Sequence, residues 1–270
     1  MITLNDFYGF DQTPFTKSIA TENLYPSRGH QEVQGRLTFA LQERLPALIT
    51  GDVGTGKSTA LRAFAQSLDR NVYRVVYLSN PYLTVPSLYR QILLALQTEP
   101  AFGFRRLLPQ FHTLVADLAR KGRYVLLIVD EAHLLPPELF DQLRFLLNQD
   151  MDSASTITLV LLGQPDLAHK LSFAPYEALY QRIAVRYQLP PFNLEETAGY
   201  VKHHLRVADH QGSVFSDSFI SGVFHHTKGV ARKINNLCRS ALLLGVSERK
   251  QILDETDLKR VIRDLEGPVT

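Results

Sequence analysis

From about residue 46 to residue 190, short apolar runs alternate with longer stretches of helical periodicity. ALIT (47–50), YRVVYL (73–78), YVLLIVD (124–130), ITLVLLG (157–163) and AVRYQL (184–189) predict strands. The middle runs are almost continuously Val, Ile and Leu. A strand that is apolar on both faces belongs in a parallel sheet with helices on either side. The stretches between predict helices over 57–68, 86–97, 107–120 and 136–149. Pro86 and Pro136 then fall where a first-turn proline is tolerated. The alternation predicts an α/β domain with a parallel five-stranded sheet.

After Pro190-Pro191 the strand signal stops. Helical periodicity predicts helices over 194–208, 216–227, 230–245 and 254–265, with Ser216 and Asp254 as N-caps. Three parts are therefore expected: residues 1–45, an N-terminal segment and first helix packing on the core; residues 46–191, the α/β domain; and residues 192–270, a small all-helical domain.

Composition adds little. Of 270 residues, 45% are hydrophobic and 21% charged, as in ordinary globular proteins, and no repeat or low-complexity tract is present. The net charge of +2 neither requires nor excludes nucleic acid. Residues 1–200 carry 18 Lys and Arg against 19 Asp and Glu, whereas residues 201–270 carry 11 against 8. A solvated basic face accounts for that bias as well as a DNA contact does. Cys238 is the single cysteine, which fits a reducing compartment. The N-terminus lacks a signal-peptide layout and no apolar run nears the roughly 20 residues of a membrane span. The expected location is cytoplasmic.

The chemistry begins at GDVGTGKST. Gly51, Gly56, Lys57 and Ser58 fit G-x-x-x-x-G-K-[ST] between a predicted strand and a predicted helix. Glycines let successive backbone N–H groups converge on one anion, and the helix N-terminus adds partial positive charge. Gly51, Asp52, Val53, Gly54, Thr55, Gly56, Lys57, Ser58 and Thr59 are the expected ATP-binding residues. Lys57 would reach the β and γ phosphates, and Ser58 would ligate Mg²⁺. In VLLIVDEAH, Asp130 and Glu131 end an apolar strand, where open α/β sheets bind ligands. Asp130 is expected to hold Mg²⁺ and Glu131 to polarise the attacking water. Asp-Glu-Ala-His also spells a helicase signature, but such helicases need two similar α/β cores and this chain has room for one. His133 is therefore expected to start a helix rather than to couple anything. The pairs His203-His204 and His225-His226 lack the neighbours of a metal site.

This order of parts resembles the AAA+ ATPases: phosphate loop, acidic strand, a further strand with a polar end, an arginine, and a helical lid. The resemblance implies that LVLLGQPDL is the sensor strand with Gln164 as its polar residue. It also implies that Arg232, in TKGVARKINNLC, is the lid contact to the γ-phosphate. FYGFDQTPF, LYPSRGHQEVQGRLTFAL, IVDEAHLLPPELFDQLRFLLN, LLGQPDL and QRIAVRYQLPPF are similar to the ExeA (general secretion A) group, which includes transposition regulators of the TnsC, TniB and MuB type. Secretion members are expected to continue into a membrane span and a wall-binding region, so a chain stopping at Thr270 favours the transposition type. That implies an ATPase assembling with itself, as a ring or helical filament, on double-stranded DNA. It would recruit or activate a transposase, with a target-selection adaptor as a further partner. The alternative is a secretion-pathway ATPase acting on a membrane assembly; a third reading is a nucleotide-gated binding module with negligible hydrolysis, against which Glu131 speaks.

By the same resemblance, DNA would meet residues 79–90, with Tyr82 and Arg90, and residues 102–108, with Arg105 and Arg106. Asn80 would hold Glu131 off line. Phe15 and Tyr25 either flank the adenine or pack in the core. Arg182 and Arg186 lie at the entrance to the last strand, where an AAA+ protein presents an arginine to a neighbouring subunit's γ-phosphate. Arg182 in QRI is the expected finger, with Arg186 an alternative, a helper or a structural residue. Strand alternation or helical i,i+4 spacing would put both on one face.

Overall fold

A computed structural model of the chain describes residues 3–79, 83–147, 155–210 and 212–267. Tyr82 and Asn80 lie outside the described residues. The chain forms two compact units. One holds His30–Gly51 and Lys57–Leu189; the other holds the N-terminal residues through Gly29, Asp52–Gly56 and the chain from Pro190 onward.

The first unit is a five-stranded parallel sheet. Its strands are β1 (Ala47–Thr50), β2 (Tyr73–Leu78), β3 (Tyr124–Val129), β4 (Ile157–Gly163) and β5 (Val185–Gln188), in the order β2-β3-β4-β1-β5. Alternate residues serve opposite faces. Leu127, Val129, Leu159 and Leu161 join one core with Leu88, Phe111, Phe140 and Leu167 from α4 (Val85–Ala95), α5 (Phe104–Arg120), α6 (Pro137–Leu146) and α7 (Pro165–Leu171). Leu126, Ile128, Val160 and Leu162 face α2 (Arg28–Gln42) and α3 (Lys57–Ser67), which supply Val33, Leu37, Leu61 and Phe64. Burial on both faces explains the unbroken apolar runs.

The helices depart from the periodicity reading in places. α5 starts at Phe104, not at 107. Pro109 sits inside it, and Gly103 takes the N-cap. α6 starts at Pro137 with Pro136 as its N-cap. Two short helices, α7 and α8 (Glu177–Tyr180), occupy the connection before β5.

The second unit packs α9 (Leu194–Val207), α10 (Asp217–Thr227), α11 (Ala231–Glu248) and α12 (Glu255–Glu266). Asn193, Ser216 and Asp254 cap α9, α10 and α12 with their side chains. The expectation that residues 1–45 pack together on the α/β core is corrected. α1 (Leu4–Tyr8) and the chain after it bury Tyr8, Phe10 and Phe15 in the helical core, with Phe192, Val201, Ile234 and Cys238. Only α2 of that stretch covers the sheet. The physical reason is that Tyr8, Phe10 and Phe15 are large aromatic side chains, and burial among the apolar faces of helices α9 to α12 takes them out of water. Phe15 is 1% exposed and stacks on His204, and Tyr25 packs edge-on against Phe192 and Tyr200. Phe15 belongs to that core and Tyr25, partly buried, packs against it. Burial pushes the Cys238 thiol far above its ordinary pKa.

Candidate nucleotide site

Parallel strands in register bring their C-terminal ends together. Thr50 of β1 is level with Gly163 of β4, and β3 lies on the other side of β4. Gly51, Gln164 and Asp130, each following its strand, therefore share one edge of the sheet, the edge where open α/β folds hold ligands.

Lys57 opens α3 and is buried, its ammonium donating to the Gly51 carbonyl at 2.8 Å. Ser58 follows, and its hydroxyl donates to Asp130 Oδ2 at 2.9 Å. Asp130 is 7% exposed. Its Oδ2 also accepts from the Tyr77 hydroxyl at 2.6 Å, and its Oδ1 accepts the Glu131 N–H at 2.9 Å. A buried carboxylate needs such donors or a cation. A hydroxyl and a carboxylate oxygen in contact, beside a buried ammonium, are hard oxygen donors suited to Mg²⁺ and an anionic phosphate, so the residues fit that pair. Thr59 is the next residue of α3.

Tyr77 was not singled out by sequence. It sits on edge strand β2, half exposed, with its hydroxyl turned to Asp130. Burial and that hydrogen bond push its phenol well above the ordinary value. The only sequence signal was its place in the strand next to the acidic one.

Glu131 has φ 51°, a left-handed conformation that costs a non-glycine residue roughly 1–3 kcal/mol. Its side chain is 49% exposed, with Oε2 3.5 Å from His133 Nδ1. His133 lies in a 3-10 turn, Ala132–Leu134. Its Nε2 is 3.1 Å from the side-chain nitrogen of Gln164, which is the N-cap of α7. His133 is thus the middle residue of that turn and starts no helix, and its imidazole stands between Glu131 and Gln164.

In the helical unit, loop residues Asp52–Gly56 meet the start of α11. The Arg232 N–H donates to the Gly54 carbonyl at 3.1 Å. A methyl at Gly54 (φ 87°) would lie 2.7 Å from Arg232 Cβ, so only glycine permits that approach. Gly229, at φ 75°, is stricter still, since a Cβ there would sit 1.8 Å from the Phe192 carbonyl oxygen. These two glycines put Arg232 beside the loop. Thr55 is buried and its hydroxyl bonds Asp52 O at 2.9 Å; Val53 is exposed.

The two arginines are separated by local structure. α8 ends at Tyr180 and β5 begins at Val185, so Arg182 lies in the intervening turn. Neither a shared strand face nor a shared helix face exists. Arg186 is held within its own chain: its guanidinium lies 3.6 Å over the Tyr180 ring, Nε donates to Ile183 O at 3.1 Å and Nη2 to Tyr180 O at 2.5 Å. Arg182 borders a small cavity of about 170 Å³ with Pro46, Leu147 and Ser155. Val185 is level with Ala47, so Arg182 is at the end of the sheet opposite the one that carries Gly51.

Arg105 and Arg106 are exposed in the first turn of α5, next to Phe102, which is 91% exposed, and Arg90 is exposed on α4. His203 Nε2 lies 2.7 Å from Asn23 O, His204 is in the core, and His226 faces Glu266 at 3.7 Å. Among the described residues no three His, Cys, Asp or Glu come together in a metal-binding group. No helix described is long and apolar enough to cross a membrane.

Residues 41–171 match the family model described as "AAA domain". That stretch runs from the end of α2 to the end of α7 and includes the phosphate loop and the acidic strand. It is 31% identical over 265 residues to general secretion pathway protein A of Aeromonas hydrophila, across 97% of this chain and 48% of that protein. The resemblance to the general secretion A group thus runs through almost the whole sequence, while the chain spans about half the length of the curated relative it matches. Among solved structures, Cdc6p from Pyrobaculum aerophilum superposes with a TM-score of 0.72 at 18% identity, over 93% of this chain and 70% of that one. Drosophila ORC bound to DNA gives 0.69 at 17% identity, over 94% and 64%. The fold is that of the AAA+ P-loop ATPases, as the sequence predicts.

Proposed function

We propose that this AAA domain protein hydrolyses ATP and works as a self-assembly on double-stranded DNA, recruiting or activating a transposase. The observation that carries the hydrolytic part is the convergence of Lys57, Ser58 and Asp130 with Glu131 on one edge of the sheet. The loop from Gly51 to Thr59 binds the phosphates, and Lys57 neutralises their charge. Ser58 and Asp130 hold Mg²⁺, which supplies charge neutralisation on the phosphate oxygens. Glu131 orients and polarises the attacking water, Gln164 senses the γ-phosphate, and Arg232 contacts it from the lid. Arg182 acts on the nucleotide of a neighbouring copy. It stands at the sheet end away from the phosphate loop, which suits a residue working in trans.

The DNA part is supported by Arg105 and Arg106 in the positive first turn of α5. Two cations at a helix N-terminus oppose the macrodipole and invite an anion such as a phosphate backbone. Arg90, Tyr82 and a target-selection adaptor belong to the same reading, as does a cytoplasmic location. The partner's identity as a transposase rests on the sequence resemblance to the transposition regulators.

A second reading, a secretion-pathway ATPase acting on a membrane assembly, is favoured by the 31% identity to the Aeromonas protein. ATPase rate measured with and without duplex DNA separates the two. DNA-stimulated turnover and ATP-dependent assembly on DNA are expected. Turnover indifferent to DNA, with no assembly, would transfer the case to the secretion reading. Glu131→Gln should keep ATP binding, lose turnover and lengthen the life of the oligomer; unchanged hydrolysis would remove Glu131 from the mechanism.

A further inference from the structure

We propose that His133 is the positioning residue for Glu131, holding its carboxylate in line through Nδ1–H while Gln164 fixes the imidazole from the other side. The inference rests on Glu131 acting in hydrolysis and adds a residue to that site.

Three observations carry it. First, the side-chain nitrogen of Gln164 lies 3.1 Å from His133 Nε2. An amide N–H donates, so Nε2 must accept, and the neutral ring then carries its proton on Nδ1. Second, Nδ1 is buried with no hydrogen-bond partner, and the carboxylate oxygen facing it is Glu131 Oε2, at 3.5 Å. That is longer than an N–H···O bond, and catalytic contacts commonly close only when substrate is bound. Third, the backbone is built to keep the two groups facing. Glu131 is held left-handed, Leu134 N–H closes the turn on Glu131 O at 2.9 Å, and the Lys170 ammonium donates to His133 O and Leu135 O at 3.2 and 3.0 Å. A largely enclosed imidazole, 13% exposed, set between the sensing amide and the catalytic carboxylate transmits the position of one to the other. A helix-starting residue would need none of these contacts.

The test exploits two amides that each copy one end of the ring. In His133→Asn the side-chain nitrogen can occupy the place of Nδ1; in His133→Gln it occupies that of Nε2. The first should keep kcat within about threefold of wild type. The second, and His133→Ala, should lower kcat by about 10- to 100-fold, the scale of a misplaced catalytic group. ATP affinity should stay within about twofold and the melting temperature should not follow the kcat order. The loss in His133→Gln and in Gln164→Ala should combine less than multiplicatively in the double variant, since both break one chain of contacts. His133→Gln turning over like wild type, or His133→Asn as slow as alanine, would overturn the proposal. The ¹⁵N shifts of the His133 ring provide a readout independent of turnover. A proton on Nδ1 in wild type that leaves that site in Gln164→Ala is expected, and a proton on Nε2 in wild type overturns the positioning geometry. A wild-type protein that hydrolyses no ATP but shows the Nδ1 proton would sink the hydrolytic reading and leave the geometry standing.

Discussion

His204 gives the helical unit a defined acid sensitivity. Its ring is 4% exposed, stacked on Phe15 at 5.0 Å and edge-on to Tyr200 at 4.5 Å, and its Nδ1 accepts the Phe15 N–H at 3.3 Å. Protonation would put a charge in an apolar core and turn that acceptor into a donor. Burial, and then the neighbouring His203, lower the pKa to about 4 from 6.5. The folded state therefore binds fewer protons than the unfolded chain between these values. The stabilisation is complete above pH 6.5 and drains away as pH falls toward 4. With one pKa unit worth about 1.4 kcal/mol, the loss relative to pH 7 comes to about 2 kcal/mol at pH 5 and about 3 kcal/mol at pH 4. Urea unfolding followed by far-ultraviolet circular dichroism at pH 7, 6 and 5 measures it. His204→Asn keeps an acceptor oxygen near Nδ1 but does not titrate. It should be less stable at pH 7, through lost stacking, and should lose about 2 kcal/mol less than wild type between pH 7 and pH 5. Parallel decline of the two proteins would refute the reasoning.

Tyr77→Phe removes one of the donors on Asp130 while keeping the ring, and should shift the Mg²⁺ dependence of turnover by about 10-fold with a smaller change in maximal rate; an unchanged Mg²⁺ titration would show that the phenol is a bystander. Arg182→Ala should leave nucleotide binding intact and lose assembly-dependent hydrolysis by about 10³-fold or more, the scale of an arginine acting in trans. Arg186→Ala should instead cost stability through its stack on Tyr180, read as a lower melting temperature with turnover per assembled subunit largely kept.

The sheet was legible because burial on both faces leaves strands with few polar positions, as the runs VLLIV and LVLL within β3 and β4 show. The loop before α3 was legible because its glycines, lysine and serine are local in sequence, and the roles expected of them follow from residue type. Less legible was whatever depended on distant parts of the chain. Nothing near Phe10 or Phe15 in sequence marks them as core residues of the C-terminal helices, because their partners lie some 200 residues later. The start of α5 was placed three residues late, since Phe104, Arg105 and Arg106 are exposed and add nothing to the apolar periodicity. Arg182 and Arg186 read as a matched pair by spacing, yet α8 ends between Tyr180 and Arg182, and β5 starts at Val185.

By itself, then, the sequence determined the α/β alternation, the helical C-terminal part and the choice of Lys57, Ser58, Asp130 and Glu131 as the candidate phosphate and metal set. These follow from periodicity and side-chain chemistry, which are local properties. Only the tertiary structure decided which side chains surround that set. Tyr77 reaches Asp130 because β2 pairs with β3, and His133 meets Gln164 because β3 pairs with β4 in parallel register. Strand order is a property of the whole chain's packing, so the neighbours it creates leave no mark in the spacing of the residues themselves.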